Sequence, residues 1–345
     1  MNTIIFRADA GPHIGTGHVM RCLALAQHWR DAGGRSVLAT ANNLPRLTEL
    51  LESNQVKISE ISEQPGSIED AQALSGLAKS SLAGWIVVDG YHFDSNYQRT
   101  LKESGANVLF VDDLCSAGHY YADIVLNQNL YANEHLYTNR EPYTRLLLGT
   151  HYVLLRKEFN KWMRWQRKLP QTAGKLLVTM GGNAPDSLIL KVILGIQQLS
   201  LTKFETLIVE PNNSKNENID QLIRQSKTKI RVKRAVSSMS DLMAWADLAV
   251  SAGGNTSWEI AFMGLPALSI IRADNQYRVV KELEKAGAVT SIGWQKNLTS
   301  TKVASKIEKM ALDLETRTEM SKNAKSIVDG YGAQRVIAEL ERNPD

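Results

Sequence analysis

The stretch FRADAGPHIGTGHVMRCLA, residues 6–24, connects a short β-prone run to a helical pattern through a loop with glycines at positions 11, 15 and 17. Apolar residues recur at intervals of three and four from position 19 to 29, which predicts an amphipathic helix. In α/β proteins, anion sites are built from a strand, a glycine loop and a helix in this order. Glycine allows the backbone to approach the ligand closely, and the first N–H groups of the helix point at it.

A plain structural turn is the alternative for this loop. Gly15-Thr16-Gly17 lacks the third glycine of the dinucleotide fingerprint, and no P-loop Gly-Lys-Ser/Thr follows it. The polar residues around the loop favour a functional site. His18 lies where the helix is predicted to begin, with Asp9 and Arg21 close by in sequence. A histidine in such a turn can reach a ligand and exchange a proton near neutral pH.

Composition limits the classes of protein to consider. The 345 residues indicate about two domains, and 43% hydrophobic with 22% charged residues is typical of globular chains. The net charge of +4 comes without lysine-arginine blocks, so no nucleic-acid partner is indicated. Cys22 and Cys115 have no partner at metal-binding spacing. Without a signal-type N-terminus or a run of 18 apolar residues, we expect a cytoplasmic protein with no stable membrane insertion.

The first half alternates strand-like and helix-like segments. Residues 85–89 and 107–111 are predicted to be buried, mainly apolar strands; the first ends in Asp89, and Asp112-Asp113 follow the second. Apolar strands that alternate with helices indicate a parallel sheet covered on both faces. We therefore predict an N-terminal Rossmann-like domain over residues 1–157.

Residues 158–174 are rich in lysine, arginine and tryptophan, and Pro170 interrupts them. We interpret this segment as a polar helix and interdomain linker. A nucleic-acid-binding patch is the less favoured alternative, because no other basic patch accompanies it. The strand, glycine turn and helix pattern then restarts, which predicts a second Rossmann-like domain over 175–330. Residues 331–345 are predicted to form a helix and tail that pack back toward the first domain.

The stretch SAGGNTSWE, residues 251–259, is a second candidate anion site. Gly253 and Gly254 allow a ligand to approach, and the three polar residues that follow are predicted to cap the next helix and to offer donors to phosphate: Asn255, Thr256 and Ser257. Glu259, in the first turn of that helix, can accept hydrogen bonds from ribose hydroxyls, or it can simply stabilise the helix dipole. Met180-Gly181-Gly182 is a further turn aimed at the same place, with an ordinary βα turn as the alternative.

These motifs together resemble the two-domain GT-B nucleotide-sugar enzymes. Within that group the chain is similar to the PseG-type hydrolases of pseudaminic acid biosynthesis. The resemblance runs over most of the chain and rests on motifs at residues 6–9, 14–21, 88–91, 111–113, 126–129, 152–159, 180–182, 251–259 and 275–276. It implies two Rossmann-like domains that face each other across a cleft, with the catalytic and sugar-binding residues in the first domain and UDP bound by the second. It also implies cleavage of UDP-2,4-diacetamido-2,4,6-trideoxy-β-L-altropyranose into UDP and free sugar.

The resemblance also assigns residues. It implies that His18 is catalytic, that Tyr91 and Asn275 line the sugar site beside Gln276, and that Glu259 holds the ribose of UDP. Water would attack the anomeric carbon with inversion, and backbone N–H groups of Gly253–Ser257 would hold the departing diphosphate. We expect Asp9 to orient either His18 or a substrate hydroxyl.

No metal or other cofactor is expected, because no carboxylate or histidine cluster is evident, and we expect a monomer. Two rival functions remain at this point. One is a GT-B glycosyltransferase that uses a UDP-sugar donor and an acceptor other than water. The other is a nucleotide-sugar-binding module without chemistry, against which His18 in the glycine loop argues.

Overall fold

The computed structural model describes residues 2–11, 14–42, 45–182, 184–201, 204–210, 217–234, 236 and 238–342. The chain divides into two compact units. The first comprises Met1–Lys157 together with Gly330–Asp345, and the second comprises Glu158–Asp329.

The first unit contains a seven-stranded parallel sheet in the order β3-β2-β1-β4-β5-β6-β7. Its strands are β1 Thr3–Ala8, β2 Arg35–Thr40, β3 Val56–Glu60, β4 Ala83–Asp89, β5 Val108–Val111, β6 Ile124–Asn127 and β7 Arg145–Leu148. Its helices are α1 Gly17–Asp31, α2 Pro45–Ser53, α3 Ile68–Ser80, α4 Ser95–Glu103 and the last helix of the chain, Gly332–Glu341. The strand order reverses between β1 and β4, and open α/β sheets bind ligands beyond the carboxyl ends of the strands at such a point.

The second unit contains a six-stranded parallel sheet in the order β10-β9-β8-β11-β12-β13. Its strands are β8 Lys175–Thr179, β9 Glu205–Glu210, β10 Lys229–Arg234, β11 Leu248–Ala252, β12 Ala267–Ile271 and β13 Thr290–Trp294. Its helices are α5 Asp186–Ile196, α6 Glu217–Arg224, α7 Met239–Trp245, α8 Thr256–Phe262, α9 Asp274–Lys285, α10 Ser300–Leu312 and α11 Leu314–Ile327. The final helix of the chain, in the first unit, is α12.

The central strands are apolar on both faces because each face supports a separate core. In β4, Trp85 and Val87 pack into the core beneath α1, whereas Ile86 and Val88 pack into the core on the opposite face. All four side chains are buried. These two parallel α/β sheets confirm the predicted fold class of two Rossmann-like domains.

One local prediction was wrong, and one strand was not predicted. The segment expected to be a polar helix before the second domain forms only a short 3-10 helix, Lys157–Trp162. Beyond it, the guanidinium of Arg167 donates to the carbonyls of Met243, Ala246 and Met263, so the segment is held by carbonyl groups near the ends of α7 and α8 rather than by its own helical bonds. Strand β13 was missed, because it is short, half-buried and interrupted by Gly293, where the register shifts.

Candidate active site

The loop after β1 brings His18 to the carboxyl edge of the first sheet. Gly11 and Gly15 close the loop by exchanging two backbone hydrogen bonds, of 3.1 and 2.7 Å. Gly15 has φ +79°, a left-handed conformation that glycine adopts without strain. Helix α1 then begins at Gly17, which places His18 in its first turn with a side chain only 7% exposed. Residues 12 and 13 of the predicted motif lie outside the described residues.

The imidazole of His18 is held by Asp89, the last residue of β4. Its Nδ1 lies 2.6 Å from Asp89 Oδ1. Burial alone would raise the pKa of Asp89, but the nearby charges of Arg21 and His18 and their hydrogen bonds hold that pKa well below its usual range. Because the carboxylate is ionised, Nδ1 carries a proton and Nε2 is the nitrogen that can accept one. This is the arrangement that a general base requires.

Arg21 connects Asp89 to a second carboxylate. Its Nε and Nη2 donate to the two oxygens of Asp89, both at 2.7 Å, and its Nη1 donates to Asp113 at 2.9 and 3.0 Å. Burial opposes the charge of Arg21, but the two carboxylates keep its pKa raised above the ordinary value. Asp113 also accepts from Asn129 Nδ2 at 3.1 Å, and its backbone carbonyl accepts from the Tyr131 hydroxyl at 2.6 Å.

Tyr91 lies beside this network on the loop after β4. Its ring meets the imidazole of His18 edge to face, with 4.7 Å between ring centroids, and its hydroxyl is 3.5 Å from Asp113 Oδ2. The tyrosine is 47% exposed, so the histidine and the tyrosine together line an accessible polar surface. An aromatic ring beside hydrogen-bonding groups is suited to a sugar ligand.

The expectation that Asp9 orients His18 is wrong. Asp9 is buried, and four groups other than that histidine surround its carboxylate: Arg7 Nη1 at 2.8 Å, His92 Nε2 at 3.2 Å, the Thr40 hydroxyl at 3.0 Å and the Ala41 N–H at 2.8 Å. Burial would raise the pKa of Asp9, but its bonds to His92 and Arg7 lower that pKa. Asp9 therefore connects the loops that follow β1, β2 and β4.

The carboxyl edge of the second sheet carries the other predicted turns. Gly253 packs so tightly against α9 that an added Cβ would lie 2.2 Å from Val280 Cγ2, which explains why this position is glycine. The N–H groups of Gly253 and Ser257 donate to Ile270 and Gly254 carbonyls, so they are engaged within the protein. Within the part of the chain that the structure describes, no backbone carbonyl outside the regular helices and strands accepts from the N–H of Gly254. Only part of the predicted N–H cradle is therefore available to an anion.

The predicted capping of α8 differs from the structure. Asn255 occupies the N-cap position in a helical conformation, and its side chain makes no capping bond. Thr256 and Ser257 already belong to the helix, and the Ser257 hydroxyl points back to the Ala252 carbonyl at 3.4 Å. Glu259 lies in the first turn of α8, as predicted.

Three of the remaining predicted residues, Gln276, Met180 and Gly181, lie beside Arg272. Asn275 and Gln276 lie in the first turn of α9, and Gln276 Oε1 accepts from the backbone N–H of Arg272 at 3.1 Å. Arg272 Nη1 donates to the carbonyl of Met180 at 2.6 Å, beside Gly181, whose φ is +79°.

Sequence reasoning did not assign three site residues. Asp89 is the last residue of β4, Arg272 directly follows β12, and Asp113 is the second residue after β5, so closeness to the end of a buried strand was a usable signal.

Two features are absent from the described ranges. These ranges contain no group of three or more histidine, cysteine, aspartate or glutamate side chains arranged to bind a metal ion. None of the helices in them combines the length and apolar character needed to cross a bilayer.

Comparison with known structures establishes the fold. MurG from Acinetobacter baumannii superposes with a TM-score of 0.68 at 17% identity, covering 99% of each chain. The chain has a GT-B fold. Residues 176–336 match the model of the glycosyltransferase family 28 C-terminal domain.

Three relatives match at 23–25% identity. An uncharacterized protein of Methanocaldococcus jannaschii is 23% identical over 78% of this chain and 55% of its own length, so the match spans about half of that relative. The spore coat polysaccharide biosynthesis protein SpsG of Bacillus subtilis is 23% identical over 97% of this chain and 96% of its own. A UDP-2,4-diacetamido-2,4,6-trideoxy-β-L-altropyranose hydrolase of Campylobacter jejuni is 25% identical over 61% of this chain and 72% of its own.

Proposed function

We propose that this protein hydrolyses a UDP-linked 2,4-diacetamido-2,4,6-trideoxyhexose to UDP and free sugar, a step of nonulosonic (pseudaminic) acid biosynthesis. The observation that carries the proposal is the pairing of His18 with Asp89 at the head of α1, because it leaves Nε2 as a proton acceptor. The similarity to the Campylobacter jejuni hydrolase supports the choice of substrate.

In the proposed reaction, Nε2 of His18 removes a proton from a water molecule as its oxygen attacks the anomeric carbon. The bond from that carbon to the diphosphate oxygen breaks, UDP leaves with the electron pair, and the configuration inverts. Asp89 stabilises the imidazolium that forms, as the carboxylate does in a serine protease triad. A positioned general base contributes about 10²–10⁴ in rate.

Arg21 holds the pair of His18 and Asp89 in place and contributes to the net charge of the cluster around them. The arginine neutralises one of the two carboxylates that it joins, Asp89 and Asp113, so the cluster is anionic when His18 is neutral and balanced when His18 is protonated. Tyr91 and Asn275 are assigned to the sugar, and Asp9 to supporting the loops.

The second unit is assigned to UDP. Glu259 is proposed to accept hydrogen bonds from the ribose hydroxyls. The turns at Met180-Gly181 and Gly253-Gly254 are proposed to lie against the diphosphate.

A glycosyltransferase is the second candidate function. The match of residues 176–336 to a glycosyltransferase domain and the likeness to MurG favour it, because the same donor and fold serve both reactions. The two functions differ in the acceptor, which is water in one case and a hydroxyl of another molecule in the other.

One experiment tests both. The protein is incubated with a panel of UDP-sugars in water enriched in ¹⁸O, without any acceptor, and UDP release and the mass of the free sugar are followed. Hydrolysis predicts many turnovers with one ¹⁸O in the anomeric hydroxyl, and nuclear magnetic resonance of the first product reports inversion. UDP release only after an acceptor is added would establish a transferase. The variant His18→Asn is the control for contaminating hydrolases.

A further inference from the structure

Arg272 follows β12 directly and reaches across the end of a neighbouring strand. Its Nη1 donates to the carbonyl of Met180, the first residue after β8. Strands β12 and β8 are not neighbours, because β11 lies between them. Adjacent strands lie about 4.8 Å apart, so a side chain that connects the ends of β12 and β8 must pass over the carboxyl end of β11. The turn at that end is Gly253-Gly254.

The backbone of Arg272 is fixed from two directions. Its N–H donates to Gln276 Oε1 at 3.1 Å, and its carbonyl accepts from Gln295 Nε2 at 3.0 Å. The Gln276 side chain also lies beside Gly254, where a Cβ would be 3.8 Å from Nε2. The guanidinium is therefore held in position before any ligand binds, which reduces the entropy that binding must lose.

The surroundings suit a diphosphate in both shape and charge. At Gly181 a Cβ would lie 3.6 Å from Arg272 Nη1, so the guanidinium rests against bare backbone at this turn. A guanidinium presents five donors in a planar fork that matches phosphate oxygens. Burial lowers the pKa of Arg272 from its ordinary value, but an arginine remains charged at neutral pH. Partial burial also strengthens its attraction for an anion.

We infer that Arg272 binds the diphosphate of the nucleotide sugar over the Gly253-Gly254 turn and stabilises the negative charge that grows on the departing nucleoside diphosphate. This inference rests on the proposed function, because it takes UDP as the leaving group. It adds a cationic side chain to a site that was otherwise predicted to consist of backbone N–H groups.

The test compares two ligands that differ only in the diphosphate. UDP affinity is measured by titration calorimetry and uridine affinity by ligand-detected nuclear magnetic resonance. The proteins are the parent, Arg272→Gln, Arg272→Lys and the control Lys281→Gln, which removes an exposed positive charge from α9. We expect Arg272→Gln to bind UDP about 10- to 100-fold more weakly, the range for hydrogen bonds to a charged group, with uridine affinity within about twofold. Arg272→Lys should lie between, and Lys281→Gln should match the parent.

Each result has one meaning. UDP affinity of Arg272→Gln within about twofold of the parent overturns the inference and leaves the proposed function standing. An equal loss of uridine and UDP affinity also overturns it, because the arginine would then only support the fold. A parent that binds no UDP overturns the proposed function and the inference with it. If circular dichroism shows Arg272→Gln to be unfolded, Arg272→Lys decides: unchanged UDP affinity overturns the inference, and a selective loss supports it.

Discussion

Arg21 and Asp89 form a two-pronged ion pair, with Nε to Oδ2 and Nη2 to Oδ1 both at 2.7 Å, and the same Oδ1 lies 2.6 Å from His18 Nδ1. One carboxylate thus orients the arginine and the histidine together. An ionised carboxylate in this place selects the histidine tautomer that has Nε2 available as a base.

The first prediction concerns this carboxylate. Asp89→Asn should lower the rate of UDP release by about 10²-fold or more, because an amide can hold the other tautomer and does not stabilise the imidazolium. The measurement is steady-state turnover. Asp313→Asn is the matched control, because Asp313 caps α11 through its side chain and asparagine caps equally well. An Asp89→Asn variant that is folded and turns over at the parent rate would show that the pairing has no catalytic role.

The second prediction concerns stability and pH. Asp9→Asn should lower the free energy of unfolding by about 1–3 kcal/mol at pH 7, because it leaves Arg7 and the Ala41 N–H with weaker partners. The folded pKa of Asp9 is depressed, so its contribution is present above the unfolded value of about 3.9 and is lost as pH falls below it. The difference between parent and variant should therefore shrink as pH falls from about 5. Urea unfolding at several pH values measures it, and a difference that grows toward acid would contradict the prediction.

The fold was predictable because its signals are local. Strands β4 and β8 are apolar at successive positions, and glycine turns separate them from their helices, so strand, turn and helix follow from short windows of sequence. Strand β13 and the segment after Lys157 were not predicted correctly, because their signals are not local. Their conformations depend on a neighbouring strand and on the carbonyl groups near the ends of α7 and α8, which no short window contains.

The site was predictable only in part, because its partners are far apart in sequence. His18 could be selected from its own loop, but the residue that orients it is 71 positions away and is brought there by the β1–β4 pairing. Asp9 was chosen for closeness in sequence, yet it directly follows the strand that carries Arg7 and pairs with that residue. The ends of strands adjacent in the sheet are better candidates than residues adjacent in the chain.

The third prediction is that UDP release does not depend on a metal ion. The proposal assigns the positive charge beside the leaving diphosphate to the guanidinium of Arg272, which remains after dialysis. Dialysis against EDTA should leave the turnover rate within about twofold of that of the untreated protein. A change of that size is expected from the altered ionic conditions alone. A rate that collapses on dialysis and returns with Mg²⁺ or Mn²⁺ would refute it.

The fourth prediction tests the ribose assignment. Glu259→Ala should weaken UDP binding by about 1.5–3 kcal/mol, the scale of hydrogen bonds to a charged group. Titration calorimetry measures the affinity, with circular dichroism to confirm folding. The variant should lose affinity for uridine as well, since the ribose is common to both ligands, which separates its effect from that of Arg272. A folded variant with unchanged UDP affinity would reduce Glu259 to a residue that stabilises the first turn of α8.

The last prediction concerns His18 as the base for water. His18→Asn keeps a polar side chain of similar reach but removes the proton acceptor. It should lower turnover by about 10²-fold or more, the contribution of a positioned general base. UDP affinity should stay close to that of the parent, because the residues assigned to UDP belong to the second unit.

Turnover and UDP titration are measured on the same preparation of His18→Asn, so that the two effects can be compared directly. His28→Asn is the matched control, because His28 is also buried in α1 but bonds to the Ala24 carbonyl within the helix. A His18→Asn variant that turns over at the parent rate would place the base elsewhere. If the variant instead loses UDP affinity and keeps its turnover, the loop after β1 binds the nucleotide, and the roles assigned to the two units must be exchanged.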